Sequence, residues 1–157
     1  MQFTKKEKCK DEDCDLRNQI VRFSLERIEE TGFCVKDICF GMSISREAFY
    51  YHFIKRDILI RACASSFVVQ GSLDKTFRNI VSYLSLHLSF FRKNLNKEGV
   101  RVFLFCFVSL LNGMSEDCGY LLIGYCYMLL SDSSVNSFVF KSKMIGLFSK
   151  LGLNCLS

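Results

Sequence analysis

The sequence predicts an all-α protein. The chain has 157 residues and not one proline, the residue that most strongly interrupts helices. Half of the residues are hydrophobic, which excludes a globally disordered chain. In the segments described below, apolar residues recur at the three- and four-residue spacing of a helix face. A chain of this length forms one domain, or two small ones, around a real hydrophobic core.

Charge density divides the chain near residue 61. The first 61 residues hold 23 charged side chains and the remaining 96 hold only 14, while the net charge of the whole chain is +5. We therefore predict a solvent-rich helical domain over residues 1–61 and a more apolar helical domain over residues 62–157. Because no Gly/Ser-rich linker marks the border, we expect a continuous helix to cross it, from about residue 55 to residue 69.

Apolar spacing predicts the other helices. Leu16, Ile20, Phe23 and Ile28 form one stripe of a first helix, which Gly32 ends as a left-handed C-cap. In the second domain the same reasoning predicts four helices, over about residues 73–93, 97–111, 118–130 and 134–151.

The segment from Lys36 to Leu59 predicts two short helices around a tight turn. Ile38 and Phe49 belong to two apolar stripes, and the helical pattern breaks between them at residues 41–43. Ser45 stands at a helix N-cap position, where its hydroxyl can accept a hydrogen bond from a free backbone N–H. Two helices joined in this way are typical of proteins that lay the second helix in the DNA major groove. The segment therefore favours a DNA-binding regulator.

A longer pattern runs through the first sixty residues. Its first helix carries Arg17, Ile20, Val21 and Ile28, and Gly32 and Phe33 follow at the end of that helix. Its second helix carries Lys36, Asp37, Ile38 and Cys39. Its third helix reads Ile44, Ser45, Arg46, Glu47, Ala48, Phe49 and Tyr50, and the pattern closes with Phe53, Arg56, Asp57 and Leu59. This pattern resembles that of the tetracycline-repressor family of bacterial transcriptional regulators, with a register that holds without a gap from Asp37 to Leu59.

The resemblance implies an N-terminal three-helix, helix-turn-helix DNA-binding domain, followed by a helical domain for effector binding and dimerisation. Arg46 and Ala48 are then expected near base edges. The residues expected to contact or flank phosphates are Ser45, Tyr50, Tyr51, His52, Lys55 and Arg56. The complete set of expected DNA-binding residues is Lys36, Ser45, Arg46, Glu47, Ala48, Tyr50, Tyr51, His52, Lys55 and Arg56.

The resemblance also implies the partners. The protein is expected to bind double-stranded operator DNA as a homodimer, joined through the last two helices, and to act as a repressor. A small apolar effector is expected to release the DNA. Its pocket would be lined by some of Phe103, Phe107, Met114, Tyr120 and Tyr125. The alternative is that these aromatic residues only fill a hydrophobic core.

Three positions depart from the family pattern. Cys34 replaces the hydroxyl residue that caps the second helix, after a loop about three residues shorter than usual. Ser43 replaces the turn glycine, so it either adopts an uncommon backbone conformation or opens the turn. Glu47 replaces a glycine, and its carboxylate either accepts a hydrogen bond from a cytosine amino group or repels the DNA. These departures leave a second hypothesis open, a dimerising interaction module that kept the fold but lost DNA reading.

Catalysis and cofactors find little support in the sequence. It contains no Gly-rich phosphate loop, no His-Glu-x-x-His pair and no nucleophile elbow, so we expect neither an enzyme nor a cofactor. The nine cysteines have no secretory signal before them, and the apolar neighbours of Cys39, Cys106 and Cys126 favour buried, reduced thiols in a cytoplasmic protein. Two alternatives are a thiol switch and a zinc site. The zinc site would use the pairs Cys9/Cys14 and Cys34/Cys39, each five residues apart, and His52 or His87 to complete it.

Two apolar runs in the second domain raise the question of a membrane. The runs cover residues 102–111 and 119–130, each well short of the roughly 20 residues that a spanning helix needs. We therefore expect two core helices and no membrane insertion.

Overall fold

The structure, a computed structural model, describes residues 5–111 and 115–155. Every regular element within these ranges is a helix, which confirms the all-α prediction. The chain divides into two compact units, residues 1–63 and residues 64–157. The DNA-binding and effector-binding roles expected of the two domains stay predictions.

Unit 1 contains four helices and most of a fifth. They are α1 (Lys5–Glu26), α2 (Ile28–Thr31), α3 (Val35–Met42), α4 (Arg46–His52) and α5 (Arg56–Ser65). Helix α1 packs against α2, α3 and α4, so one small core lies between them. The largest fully buried side chains of this core are Ile20, Ile28, Phe33, Ile38, Phe49, Phe53, Leu59 and Ile60.

The predicted first helix is divided in two. Its backbone leaves helical geometry at Arg27 (φ −110°, ψ 27°) and resumes as the single turn of α2. Just before the break, the buried Ser24 hydroxyl donates to the Ile20 carbonyl at 2.7 Å, an interaction that tends to bend helices. Gly32 then ends the segment in the left-handed conformation, as predicted.

Two non-glycine residues in the turns of unit 1 have positive φ angles. Phe33, fully buried, has φ 64° directly after Gly32 with φ 52°, and together they make the short loop into α3 possible. Ser43 has φ 54° and ψ 41° and forms the C-cap of α3, so it takes the uncommon conformation rather than opening the turn. Such residues persist where the surrounding packing fixes them.

Unit 2 contains the other five helices. They are α6 (Leu73–Leu86), α7 (Leu88–Lys93), α8 (Glu98–Leu110), α9 (Glu116–Ser131) and α10 (Ser137–Cys155). Helix α9 packs against α7, α8 and α10, and α10 also packs against α6. The Phe77 and Phe148 rings stack between α6 and α10 with their centroids 4.1 Å apart. The core of this unit is therefore aromatic as well as aliphatic.

The prediction of a continuous helix over residues 55–69 was wrong. Helix α5 ends at Ser65, and the Phe67 ring packs 5.1 Å from the Tyr83 ring within unit 2. The Val69 N–H then donates to the Thr76 hydroxyl at 2.9 Å instead of to a helical carbonyl. Tertiary contacts of the Phe67 ring and of Thr76 hold the chain in a turn, although the local spacing of apolar residues favours a helix.

The predicted helix over residues 73–93 is interrupted as well. His87 (φ −109°, ψ 31°) separates α6 from α7, while its ring packs against Tyr83 one turn earlier. The other helices of unit 2 lie within a few residues of their predicted ranges. Within the described residues, no helix is both long enough and apolar enough to span a bilayer.

Candidate nucleic-acid interface on α4

Helix α4 has one buried side and one exposed side. Phe49 is fully buried, and Ala48 and His52 are half-buried beside it. At about 100° per residue, the opposite side forms a continuous exposed arc. The side chains of this arc are Arg46, Glu47, Tyr50 and Tyr51. Four of the predicted DNA-binding residues are thus brought together on one surface, which we call the α4 arc.

Aromatic packing fixes the orientation of the α4 arc. The Phe49 ring lies 5.8 Å from the ring of Phe53, and both are fully buried. The guanidinium of Arg17 on α1 sits 4.6 Å above the Phe53 ring, a cation–π contact worth roughly 0.5–2 kcal/mol. Tyr50 meets the edge of Phe49 at 5.4 Å, so the tyrosine is held by the core while 46% of it stays exposed.

Ser45 fixes the beginning of α4. Its hydroxyl accepts a hydrogen bond from the Ala48 N–H at 3.1 Å, which confirms the predicted N-cap. Cys34, at the equivalent position of α3, makes no side-chain cap. The Ser45 hydroxyl remains exposed and retains its own proton, so it can still donate to a phosphate.

The turn between α3 and α4 closes over a buried thiol. The Cys39 Sγ lies 3.9 Å from the Ser45 carbonyl oxygen. Burial raises the pKa of the Cys39 thiol, and the nearby positive charge of Arg46 offsets part of that rise.

The other predicted contacts flank the α4 arc in sequence. Lys36 is exposed in the first turn of α3, and Lys55 is exposed just before α5. Arg56 begins α5 and is half-buried, and the His52 ring packs edge-on against Tyr51 at 5.1 Å. All ten predicted DNA-binding residues therefore keep at least part of their surface accessible.

Sequence reasoning missed two exposed apolar residues in unit 1. Phe40 is 87% exposed on α3, four residues after Lys36 and hence on the same helix face. Ile54 is 74% exposed between α4 and α5. The spacing of Phe40 from Lys36 was the available signal, because the adjacent Ile38 and Cys39 already supply the buried face of α3.

The predicted effector-binding residues of unit 2 differ from one another in burial. Phe103 and Phe107 are buried with their rings 4.9 Å apart, in an aromatic cluster with Phe91 and Tyr83. Tyr125 is half-buried and Tyr120 is mostly exposed. Met114 lies outside the described residues. The structure thus brings two of the five together, and the pocket stays a prediction.

Helix α9 carries an exposed apolar stripe. Its exposed residues recur at three- and four-residue spacing and are Asp117, Tyr120, Leu121, Gly124 and Met128, of which only Asp117 is charged. A methyl group added at Gly124 would meet nothing within 4 Å, so the stripe is open at its centre. Phe138, in the first turn of α10, is 79% exposed as well. We call this set of residues on the two helices the α9/α10 face.

The described cysteines are free thiols. Cys39, Cys106 and Cys126 are buried, as predicted. Burial raises the pKa of both Cys63 and Cys126 to about 12, so these two stay protonated at neutral pH. Among the described side chains, no group of three or more His, Cys, Asp or Glu residues is placed to hold a metal ion. The side chains of Cys9 and Cys14, which the zinc alternative needs, lie outside that part of the chain.

Comparison of the chain with protein-family models, with curated proteins and with solved structures finds no significant match.

Proposed function

We propose that this protein is a homodimeric transcriptional regulator that binds double-stranded DNA through the α4 arc. The observation that carries the proposal is the arc itself: two charged and two phenolic side chains on the open side of a short helix, which a tight turn joins to α3. Two helices joined by such a turn are the arrangement with which many regulators enter the major groove.

The size of α4 fits that task. Seven residues make a helix about 10 Å long, comparable with the roughly 12 Å width of the major groove. The α4 arc supplies two phenol groups and a guanidinium, all of which donate hydrogen bonds to phosphates or base edges. The buried side of the helix meanwhile holds Phe49 in the core of unit 1, so the arc is presented on a fixed support.

Local placement of charge, rather than net charge, supports DNA binding. The first 61 residues hold twelve basic and eleven acidic residues, almost a neutral balance. Lys36 and Lys55, however, are exposed on the segments that precede and follow the α4 arc. Two such flanking cations suit phosphate contacts, which position a reading helix without specifying sequence. With so few charges in each copy, useful affinity requires two copies on one operator.

The α9/α10 face is the surface we propose for dimerisation. Exposed side chains of this size cost free energy in water and gain it when a second copy covers them. A two-fold dimer would present two α4 arcs to two half-sites, as palindromic operators require. The effector is proposed to be small and apolar, because the aromatic cluster around Phe103 offers mainly ring surfaces.

A mobility-shift assay on the DNA upstream of the protein's own gene tests the proposal. We expect a shifted complex whose affinity falls steeply with salt, because each phosphate that the protein neutralises releases counterions. An unrelated duplex of equal length should bind much more weakly. A folded dimer that shifts no duplex even at low salt would contradict the proposal and favour the interaction module that has lost DNA reading.

A further inference from the structure

Glu47 lies inside the α4 arc rather than at its edge. Counting about 100° per residue from Arg46 at 0°, Tyr50 lies at about 40°, Glu47 at about 100° and Tyr51 at about 140°. Glu47 and Tyr50 therefore flank the middle of the arc. In a helix that enters a groove, the middle of the exposed arc faces base edges, while its margins face the backbones.

The Glu47 carboxylate is free to bind a ligand. Within the described part of the chain, the Glu47 side chain has neither an ion-pair nor a hydrogen-bond partner. Arg46 is its neighbour in sequence, but adjacent helical residues do not face each other. The carboxylate thus keeps its full hydrogen-bonding capacity for whatever enters the α4 arc.

DNA offers a carboxylate very few partners. Phosphates repel it, and most groups on the base edges are themselves acceptors. In the major groove only the amino groups of cytosine and adenine donate hydrogen bonds. Adenine places its N7 acceptor beside that amino group, which opposes a second carboxylate oxygen, whereas cytosine presents the donor alone.

We propose that Glu47 determines specificity by accepting a hydrogen bond from the amino group of a cytosine in each half-site. This inference rests on the proposed function and adds a base preference to it. A good contact of this kind discriminates against the wrong base by about 1–3 kcal/mol, which is roughly 5- to 150-fold in affinity.

Selection from a library of random duplexes, followed by sequencing, tests this inference with the full chain. The wild type should enrich a cytosine at one fixed position of each half-site. Glu47→Gln keeps the size of the side chain and turns it into an adenine reader, since an amide pairs with both N6 and N7. We expect the preference at that one position to change from cytosine to adenine while the other positions stay the same. Glu26→Gln, at an exposed residue of α1, is the matched control and should leave the profile unchanged.

Three outcomes overturn the inference, and they differ in what else they overturn. An unchanged profile with Glu47→Gln would show that Glu47 reads no base, although DNA binding itself would stand. Tighter binding of Glu47→Gln to every duplex alike would mean that the carboxylate only repels phosphates. No enrichment and no duplex binding by the folded wild type would contradict the proposed function together with this inference.

Discussion

The outward faces of α4 and α9 show that the two units expose opposite kinds of surface. Both helices bury one side in their own unit, yet the α4 arc is charged and phenolic, whereas the exposed stripe of α9 is mainly apolar. A charged arc keeps its hydration until a polar or charged ligand replaces it, and an apolar stripe is stabilised when it leaves water. The two surfaces therefore differ as the two proposed partners do, a nucleic acid for unit 1 and a second copy of the chain for unit 2.

Placing negative charges on the α9/α10 face should have the largest effect on dimerisation and on operator affinity. Replacing both Leu121 and Met128 by Glu would set like charges against each other across the proposed dimer interface. We expect a monomer by light scattering, and a loss of operator affinity of about 100-fold or more because one arc then binds alone. Leu86→Glu, at a leucine of α6 that is 76% exposed, is the matched control and should stay dimeric. A Leu121/Met128 variant that remains dimeric would place the interface elsewhere.

Removing side chains from the α4 arc should have the next largest effect on operator affinity. Arg46→Ala and Tyr50→Ala each delete one proposed DNA contact, and we expect each to weaken operator binding by about 10- to 50-fold. Arg22→Ala removes the same charge from an exposed position of α1 and serves as the control in fluorescence anisotropy. Operator affinity that falls as much in Arg22→Ala as in Arg46→Ala would reduce the role of Arg46 to net charge, and unchanged affinity in Tyr50→Ala would remove Tyr50 from the contact.

Replacing the serine N-caps of the two units should distinguish an effect on stability from an effect on DNA binding. Ser45 caps α4, and Ser72 caps α6 by accepting from the Lys75 N–H at 3.2 Å. Replacing either serine by Ala should lower the free energy of unfolding by about 1 kcal/mol in urea titrations. Only Ser45→Ala should also weaken DNA binding, because it loosens the first turn of α4. If Ser72→Ala weakened DNA binding equally, the loss would reflect stability alone.

Replacing the turn residue Ser43 by glycine should stabilise the protein rather than destabilise it. Glycine adopts its positive φ without a Cβ penalty, so we expect Ser43→Gly to raise the free energy of unfolding by about 0.5–1 kcal/mol. Ser82→Gly, within α6, is the control and should lower the same quantity by about 0.5 kcal/mol. A loss of stability with Ser43→Gly would show that the hydroxyl matters more than the backbone.

Ionisation of the buried thiols should affect stability only at high pH. Burial holds the pKa of Cys63 in unit 1 and of Cys126 in unit 2 near 12, against 9.0 for an ordinary cysteine. Between pH 9 and 12 the unfolded chain therefore loses thiol protons that the folded chain keeps, and the free energy of unfolding falls as the pH rises. The double replacement Cys63→Ala/Cys126→Ala should reduce that fall between pH 8 and 10.5. An equal fall in the variant and the wild type would contradict the prediction.

Local chemistry was predictable from the sequence, and tertiary contacts were not. The caps at Ser45 and Gly32 follow from residue type and position, and the structure confirms both. The end of α5 at Ser65 could not be foreseen, because it depends on Phe67 packing against Tyr83, a residue sixteen positions away. Phe33 was unexpected for the same reason, since only packing holds a phenylalanine at φ 64°.

In the candidate site, too, local features were predictable from the sequence and tertiary packing was not. Helical spacing alone indicates that Arg46, Glu47 and Tyr50 share a face, and the structure places that face outward. Spacing also places Phe40 on the same face as Lys36, but the usual burial of a phenylalanine outweighed that signal. Spacing could not separate the buried Phe103 from the exposed Tyr120, which depends on how α8 and α9 pack.

Backbone amide chemical-shift mapping with the upstream duplex tests most directly whether the α4 arc binds DNA. A titration of the isotopically labelled protein should perturb the amides of residues 45–52 most strongly, with smaller shifts at Lys36, Lys55 and Arg56. The same residues in Arg46→Ala should shift less at equal DNA concentration. Perturbations confined to unit 2, or spread evenly over every exposed lysine and arginine, would contradict the assignment of DNA reading to α4.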